Sequence, residues 1–367
     1  MENVVFYRKY RPQSFEEIIG QAHIVQTLKN SLVSLSVSHA YLFTGPRGSG
    51  KTTIARLFAK AINCSTPDVE QRPCNVCDSC VEITAAKSMD LIEIDAASHT
   101  GVDDVRALID GLRFAPVKSK YKIFIIDECH QLSKPAANAL LKTLEEPPAH
   151  AIFILATTEA NKMIPTIISR CQRFDFKRLQ TNEIIQKLEF ILKKEGIKAE
   201  DSALALIALN ARGSFRDAEG LLDKCISFSG GTKTLKAQDI KEILGIVEAG
   251  QIAAFIDYVL TKKTKEAVIY LNNLVEQGID LQEFAKTLVF YARQMLLLKI
   301  NADFLTPQNS GLSTEEIATM KQQVAAQAEK DLQAMLETFI EAEQKMKYSS
   351  IIQLPLELAI LDIAIDK

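Results

Sequence analysis

Apolar residues in the first 177 positions fall into short blocks that read as strands, separated by stretches with helical spacing. Tyr41 to Thr44, Leu91 to Asp95, Lys122 to Asp127, Ile152 to Thr157 and Arg173 to Phe176 are the strand candidates. Ile123-Phe124-Ile125-Ile126 and Ile152-Phe153-Ile154-Leu155 are apolar at every position, so both faces of their sheet must be covered. Parallel strands between two helix layers have this pattern. From Leu179 onward amphipathic helical spacing takes over, with Thr181 as candidate N-cap and Glu195-Gly196 as stop. Ser229-Gly230-Gly231-Thr232 interrupts that pattern, and the stretch from Ile243 to Gly250 reads as a hinge. The predicted organisation is an α/β core over 1–178, with a parallel sheet and helices on both faces. An all-α domain over 179–243 and an all-α C-terminal domain over 244–367 follow.

Composition narrows the class. The 367 residues are 47% hydrophobic and 24% charged, enough for several packed domains and unlike a disordered chain. Net charge is -3, so the chain is no polycation; any grip on nucleic acid must be local. Residues 1–180 carry 22 basic and 19 acidic side chains against 21 and 27 in the rest, which points anionic ligands to the N-terminal half. The apolar stretches 151–156 and 354–365 are too short or too interrupted to cross roughly 30 Å of hydrocarbon. Seven cysteines, three of them between 74 and 80, and the lack of a charged-then-apolar leader argue for a reducing cytoplasm.

The strongest chemical signal is Gly45-Pro46-Arg47-Gly48-Ser49-Gly50-Lys51-Thr52, placed between a strand and a helix that runs on through Thr53 to Ala61. Glycines let backbone N–H groups turn around phosphate oxygens, and the helix N-terminus adds a positive dipole end. Lys51 supplies a mobile charge and Thr52 a hydroxyl for Mg²⁺. About 75 residues on, the strand from Lys122 ends in Asp127-Glu128-Cys129-His130. Beside a phosphate loop, Asp127 suits the Mg²⁺ shell and Glu128 suits activation of the attacking water. Three further signals are weaker. Thr157 and Thr158 end a buried strand, where their hydroxyls can touch a γ-phosphate or the lytic water, or simply make strand-end hydrogen bonds. Arg170, in Ser169-Arg170-Cys171, can act as a finger toward a neighbouring subunit's nucleotide or be an ordinary surface arginine. Arg216, in Gly213-Ser214-Phe215-Arg216-Asp217-Ala218, can reach back to the phosphates or pair with Asp217.

Cys64, Cys74, Cys77 and Cys80 lie between the phosphate-loop helix and the Leu91 strand. Four thiolates suit one tetrahedral zinc and leave no coordination position open, so the ion would be structural. A redox pair and an iron–sulfur cluster are the competing readings. Cys129, Cys171 and Cys225 sit in apolar or helical contexts and read as buried small residues.

In this order, the phosphate loop, Asp-Glu-x-His, strand-end Thr, Ser-Arg-Cys and Gly-Ser-x-Arg-Asp-Ala resemble the AAA+ ATPases of the clamp-loader clade. The cysteine insert narrows the resemblance, as do Arg8-Lys9-Tyr10-Arg11-Pro12, Phe15, Ile18-Ile19-Gly20-Gln21, Asp95-Ala96-Ala97-Ser98 and the run from Leu140 to Pro148. With them the chain is similar to the bacterial DNA polymerase III gamma/tau family. These motifs cover residues 8 to 218; beyond 245 the likeness is one of length and helical character.

The resemblance implies an ATPase core, a helical lid and a C-terminal collar that joins subunits. It places Arg11, Ile18 and Ile19 near the adenosine, Lys51 and Thr52 on phosphate and Mg²⁺, Asp127 on Mg²⁺ and Glu128 as base. Thr157 and Arg216 would be sensors, and Arg170 would act in trans. ATP binding would let a hetero-pentamer, holding several copies of this chain with delta and delta prime subunits, open a sliding clamp on primer-template DNA. DNA would be followed along its backbone without sequence specificity, by groups such as Arg106 and Lys142. After Ser98, where the family tends to be more basic, this chain has His99, Thr100 and Gly101. Longer family forms bind the polymerase and the replicative helicase through added C-terminal segments. Two alternatives remain at this level. Another AAA+ DNA-remodelling motor would share the loop, finger and lid but not the cysteine insert. A non-hydrolysing scaffold would have no need of Lys51, Thr52, Asp127 and Glu128 together.

Overall fold

The computed structural model describes residues 5–98, 101–112, 114–228, 234–244, 249–305 and 312–364. The interruption at 229–232, hinge positions 245–248, His99 and Thr100 lie outside the described residues, as does the side chain of Arg106. Contacts divide the chain into two compact units, Met1–Ala237 and Gln238–Lys367.

In the first unit, strands β1 (Ala40–Thr44), β2 (Leu91–Asp95), β3 (Lys122–Asp127), β4 (Ala151–Thr157) and β5 (Gln172–Asp175) form a parallel sheet in the order β2-β3-β4-β1-β5. Each matches a strand read from the sequence to within one residue at either end. The sheet is apolar on both faces because alternate residues serve different layers. Tyr41, Phe43, Ile123, Ile125, Ile152 and Ile154 pack toward α2 (Ala22–Val33) and α3 (Lys51–Ile62), through Ile24, Leu28, Ile54 and Phe58. Leu42, Phe124, Ile126, Phe153 and Leu155 pack the other way, against α5 (Val102–Gly111) and α6 (Lys134–Glu145). Between α3 and β2, the cysteine insert forms a 3-10 turn, Val69–Gln71, and a short α-helix, α4 (Asp78–Thr84). Buried Asp90 anchors the approach to β3 by accepting the backbone N–H groups of Val117, Lys118 and Ser119 at 2.7, 2.9 and 2.8 Å.

The four-residue helices α1 (Phe6–Lys9) and α7 (Pro165–Ile168) also precede β5, and past it come α8 (Thr181–Glu195), α9 (Asp201–Asn210) and α10 (Phe215–Phe228). The cap of α8 falls one residue before the expected Thr181: Gln180 and Glu183 bond reciprocally as a capping box, while Gly196, at φ 70°, stops the helix as expected. The region is not purely helical. Lys198–Ala199 and Thr234–Leu235 form a two-residue parallel pair that closes around α9 and α10. Two residues per strand are too few to leave an alternating pattern in the sequence.

Among its described residues the second unit is helical: α12 (Ala249–Leu260), α13 (Thr264–Glu276), α14 (Leu281–Ile300), α15 (Thr314–Ala325), α16 (Glu329–Met346) and α17 (Leu354–Ala364), after α11 (Ala237–Leu244) at the boundary. One continuous core runs through it, from Ile252 to Ile360, with Phe255, Phe284 and Phe339 fully enclosed. Gln323 donates to the Ala253 carbonyl and Asp257 and accepts from the Tyr291 hydroxyl, so its buried amide is fully paired, whereas Gln294 Oε1 on α14 is buried without a partner among the described residues. No described helix is long and apolar enough to cross a membrane.

Candidate active site

Buried β1 ends at Thr44, and the chain turns through Gly45 (φ 144°), Gly48 (φ 73°) and Gly50 (φ 97°) before α3 begins at Lys51. At two of these positions glycine is required by space as well. A Cβ on Gly45 would stand 2.5 Å from the Phe176 carbonyl oxygen, and one on Gly48 would stand 1.9 Å from Ser214 Oγ. The loop is therefore clasped from outside: the Phe215 N–H at the start of α10 donates to the Gly48 carbonyl at 3.1 Å. The free N–H groups of the first turn of α3 face the cleft with the helix dipole behind them. Lys51 is almost fully buried and donates to the carbonyls of Gly45 and Pro46 at 2.8 and 2.9 Å. Burial pushes its ammonium below the usual lysine range, against the pull of Glu128 and Asp127.

Thr52 and Asp127, 75 residues apart, meet directly: the Thr52 hydroxyl donates to Asp127 Oδ2 at 2.6 Å. An alcohol and a carboxylate oxygen in contact, beside the phosphate loop, form a donor set that fits Mg²⁺. Glu128 follows in a left-handed conformation (φ 47°), which turns its side chain back over the end of β4. There Oε2 accepts from the Thr158 hydroxyl at 2.8 Å and the Thr158 N–H at 3.2 Å, with His130 Nδ1 at 3.4 Å. Thr157, the residue singled out from sequence, is fully buried; its hydroxyl bonds His130 Nδ1 and accepts the Glu159 N–H. The strand-end hydroxyl that touches Glu128 is that of Thr158.

Around these groups opens a cleft of about 780 Å³. Arg11, Ile18, Ile19, Arg47, Gly48, Ser49, Gly50, Thr52, Thr53 and Arg216 line it with Lys51, Asp127 and Glu128, so the adenosine-side, phosphate-side and lid candidates share one wall. Arg216 lies 5.0 Å over the ring of Tyr7. Burial, and then the positive charge of Arg56, hold the Arg11 guanidinium below its ordinary value. Arg56 itself is fixed by a two-point contact with Glu93 at 2.6 and 2.7 Å. Such a concentration of cations suits a polyphosphate. Arg170 is not among the described residues lining this cleft. It is on the surface, held by Glu145 at 2.7 Å and the Thr166 carbonyl at 2.8 Å.

The four insert cysteines come together with all sulfurs within 4.8 Å of one another. Cys74 and Cys80, and Cys77 and Cys64, are 4.0 Å apart, close to the edge of a tetrahedron with Zn–S bonds of about 2.3 Å. The Cys74 N–H donates to Cys64 Sγ and the Cys77 N–H to Cys74 Sγ, both at 3.4 Å. All seven cysteines are free thiols. Cys129, Cys171 and Cys225 lie elsewhere, and burial raises the pKa of each.

Three family models match consecutive segments: "DNA polymerase III, delta subunit" over 20–180, "DNA polymerase III clamp loader subunit, ATPase lid domain" over 183–231, and "DNA polymerase III subunits gamma and tau domain III" over 235–366. DNA polymerase III subunit tau of Bacillus subtilis (strain 168) is 44% identical over 363 residues, 99% of this chain and 63% of that protein. Subunit tau of Escherichia coli (strain K12) is 43% identical over 280 residues, 76% of this chain and 43% of that protein. The chain thus spans about half the length of these tau relatives. Subunit gamma of Buchnera aphidicola subsp. Acyrthosiphon pisum is 36% identical over 367 residues, 98% of either chain. The chain belongs to the DNA polymerase III gamma/tau family. Among solved structures, the Thermotoga maritima RuvB Holliday junction branch migration motor superposes with a TM-score of 0.49 at 19% identity, covering 74% of this chain and 86% of that one. That likeness is too distant to carry a functional argument.

Several residues of this gamma/tau family site leave no signal in the sequence. Tyr7, Lys187 and Glu219 acquire their places only through folding. Lys187 and Glu219, both buried, stand 3.7 Å apart on α8 and α10 and line the cleft. Burial pushes Glu219 up to about 7, against the pull of Lys187 and Arg11.

Proposed function

We propose that this chain is the ATP-hydrolysing subunit of a bacterial clamp loader. The single observation that carries the reading is the Thr52–Asp127 contact with Glu128 beside it, in a cleft that runs from Ile18 and Ile19 to Arg216. In this reading 1–178 is the ATPase core, 179–243 the lid and 244–367 the collar. Arg11, Ile18 and Ile19 hold the adenosine. The loop from Gly45 to Thr53 holds the phosphates, and Thr52 and Asp127 hold Mg²⁺, which supplies charge neutralisation at the β- and γ-phosphates. Glu128 takes the proton of the attacking water once it leaves Thr158. Arg216 senses the phosphates from the lid, Thr157 supports the sensing strand through His130, and Arg170 completes a neighbouring subunit's site. The cysteine cluster holds structural zinc.

Both arginines make sense only if phosphate state is converted into subunit arrangement. Arg216 belongs to the helix whose first N–H clasps Gly48, so ligand at the loop biases the seating of α10. Arg170 faces outward and has no phosphate of its own chain to reach. The assembly would contain delta and delta prime subunits with several copies of this chain. Its substrates would be a sliding clamp and primer-template DNA, gripped by its backbone, in the cytoplasm. Polymerase and replicative helicase would be partners of longer forms.

The test is the ATP hydrolysis rate of the purified chain, alone and with loader partners, sliding clamp and primed DNA. Weak basal turnover that rises strongly only when clamp and primer-template are both present is the expected result. Stimulation by DNA but not by the clamp would favour a DNA-remodelling motor, and no turnover under any condition would favour a scaffold.

A further inference from the structure

The helix that begins at the phosphate loop ends at the cysteine cluster. Lys51 opens α3, Ile62 closes it, and Cys64 follows two residues later, so one rod of about 18 Å joins the two sites. The insert also returns to the cleft: Thr84, on the helix that carries Cys80, lines it.

Lys60 stands between the sites. It is 2% exposed, and among the described residues no carboxylate approaches it within ion-pair distance. Burial holds its ammonium below the usual lysine range, and Cys80, Glu17, Cys74 and Cys64 are the groups that oppose this. A buried ammonium is costly unless negative charge lies nearby, and four thiolates around a divalent ion carry net negative charge. Its Nζ donates to Gln13 Oε1 at 2.9 Å. Thr84 Oγ1 lies 3.4 Å from that same oxygen and donates to the Cys80 carbonyl at 2.8 Å. Gln13 in turn donates through Nε2 to the Arg11 carbonyl at 3.0 Å and through its N–H to Glu17 at 2.7 Å. Arg11, Gln13, Glu17 and Thr84 all line the cleft.

We propose that Gln13 and Lys60 are positioning residues that couple the cysteine cluster to the nucleotide cleft, so that zinc held by Cys64, Cys74, Cys77 and Cys80 strengthens nucleotide binding. The inference rests on the nucleotide and zinc assignments above and adds the link between them. Loaded, the cluster keeps Lys60 and the α4 end of the insert in place; both fix Gln13, and Gln13 fixes the backbone at Arg11. By linkage the effect is reciprocal: nucleotide must retain zinc by the same factor.

The experiment titrates a fluorescent ATP analogue into the full chain, zinc-loaded and after chelator stripping, with circular dichroism confirming the fold of each sample. Stripping is expected to weaken binding by about fivefold or more, the lower bound of ordinary coupling. Gln13→Ala and Lys60→Met, both zinc-loaded, should bind the analogue more weakly and lose most of the response to stripping. A purely structural role would leave that response intact. Equal affinities for loaded and stripped wild type overturn the proposal, as does an undiminished response in Gln13→Ala. Should stripping unfold the chain, zinc transfer to a colorimetric chelator is followed with and without the analogue. Retention by nucleotide in wild type but not in Gln13→Ala supports the link, and no retention overturns it. Failure of the zinc-loaded chain to bind nucleotide at all overturns the cleft assignment itself, and the link with it.

Discussion

Gly48→Ala tests the clasp between the phosphate loop and the lid. Two costs arise at once. At φ 73° an alanine is in left-handed backbone, which costs about 1–2 kcal/mol. The added methyl would stand 1.9 Å from Ser214 Oγ, 2.8 Å from its Cβ and 3.2 Å from its Cα. Rotating the hydroxyl away removes only the first overlap. It also gives up the bond by which Ser214 Oγ accepts the Asp217 N–H at the start of α10, a cap worth about 1 kcal/mol. The remaining overlap is an overpacking of about 1–3 kcal/mol. Together these predict a loss of roughly 3–6 kcal/mol. The chain has no tryptophan, so urea unfolding is followed by far-UV circular dichroism, with the loss in the transition of the N-terminal unit. Adding Ser214→Gly removes the Oγ and Cβ overlaps but not the backbone strain or the lost cap. It should therefore recover about 1–3 kcal/mol and no more. A Gly48→Ala chain within about 0.5 kcal/mol of wild type would refute the reasoning. Complete recovery in the double variant would refute the strain component.

Four other outcomes are expected. Glu128→Gln should bind ATP with near-normal affinity and lose turnover by about a hundredfold or more, measured by phosphate release. Arg170→Ala should leave the basal rate of the isolated chain unchanged and lower turnover only in the assembled loader; equal losses in both would place the arginine in its own chain's site. Glu219 retains its proton up to about 7 in the folded chain, against an ordinary 4.5. The folded state thus binds more protons in that window and stability falls as pH rises through it, by about 1–3 kcal/mol. Glu219→Gln should flatten urea midpoints between pH 5 and 8. Asp90→Ala would remove the buried carboxylate that three backbone N–H groups of an otherwise exposed segment share, and should cost about 1–3 kcal/mol, read from the same unfolding curves.

What could be read before folding was what the chain encodes locally. The phosphate loop is eight consecutive residues whose spacing is the site, and the strands carry their double-sided burial in runs such as Ile123 to Ile126. The cysteines declare their count and spacing, so their convergence on one point was expected. Contacts closed by tertiary packing had no such trace. Ser214 must be small because Gly48 lies against it, yet the two are 166 residues apart. Thr157 and Thr158 are equivalent letters at a strand end; only the pleat, which buries the first and aims the second at Glu128, separates them. Lys60 reads as one more helix lysine until the insert folds over it.

Thr52 and Asp127 come from segments that leave β1 and β3, and those strands are not neighbours: β4 lies between them. Two strand spacings of about 4.8 Å must be bridged, and α3 does so by leaning across β4. Ala156 of β4 is fully enclosed in the layer beneath that helix. A larger residue there would lift α3 and draw Thr52 away from Asp127 while leaving every signature letter unchanged. Lineages in which this position has drifted to a bulky side chain would keep the spelling of an ATPase and lose its chemistry. A small residue at this strand position is therefore as much a condition of the Thr52–Asp127 contact as the two residues themselves.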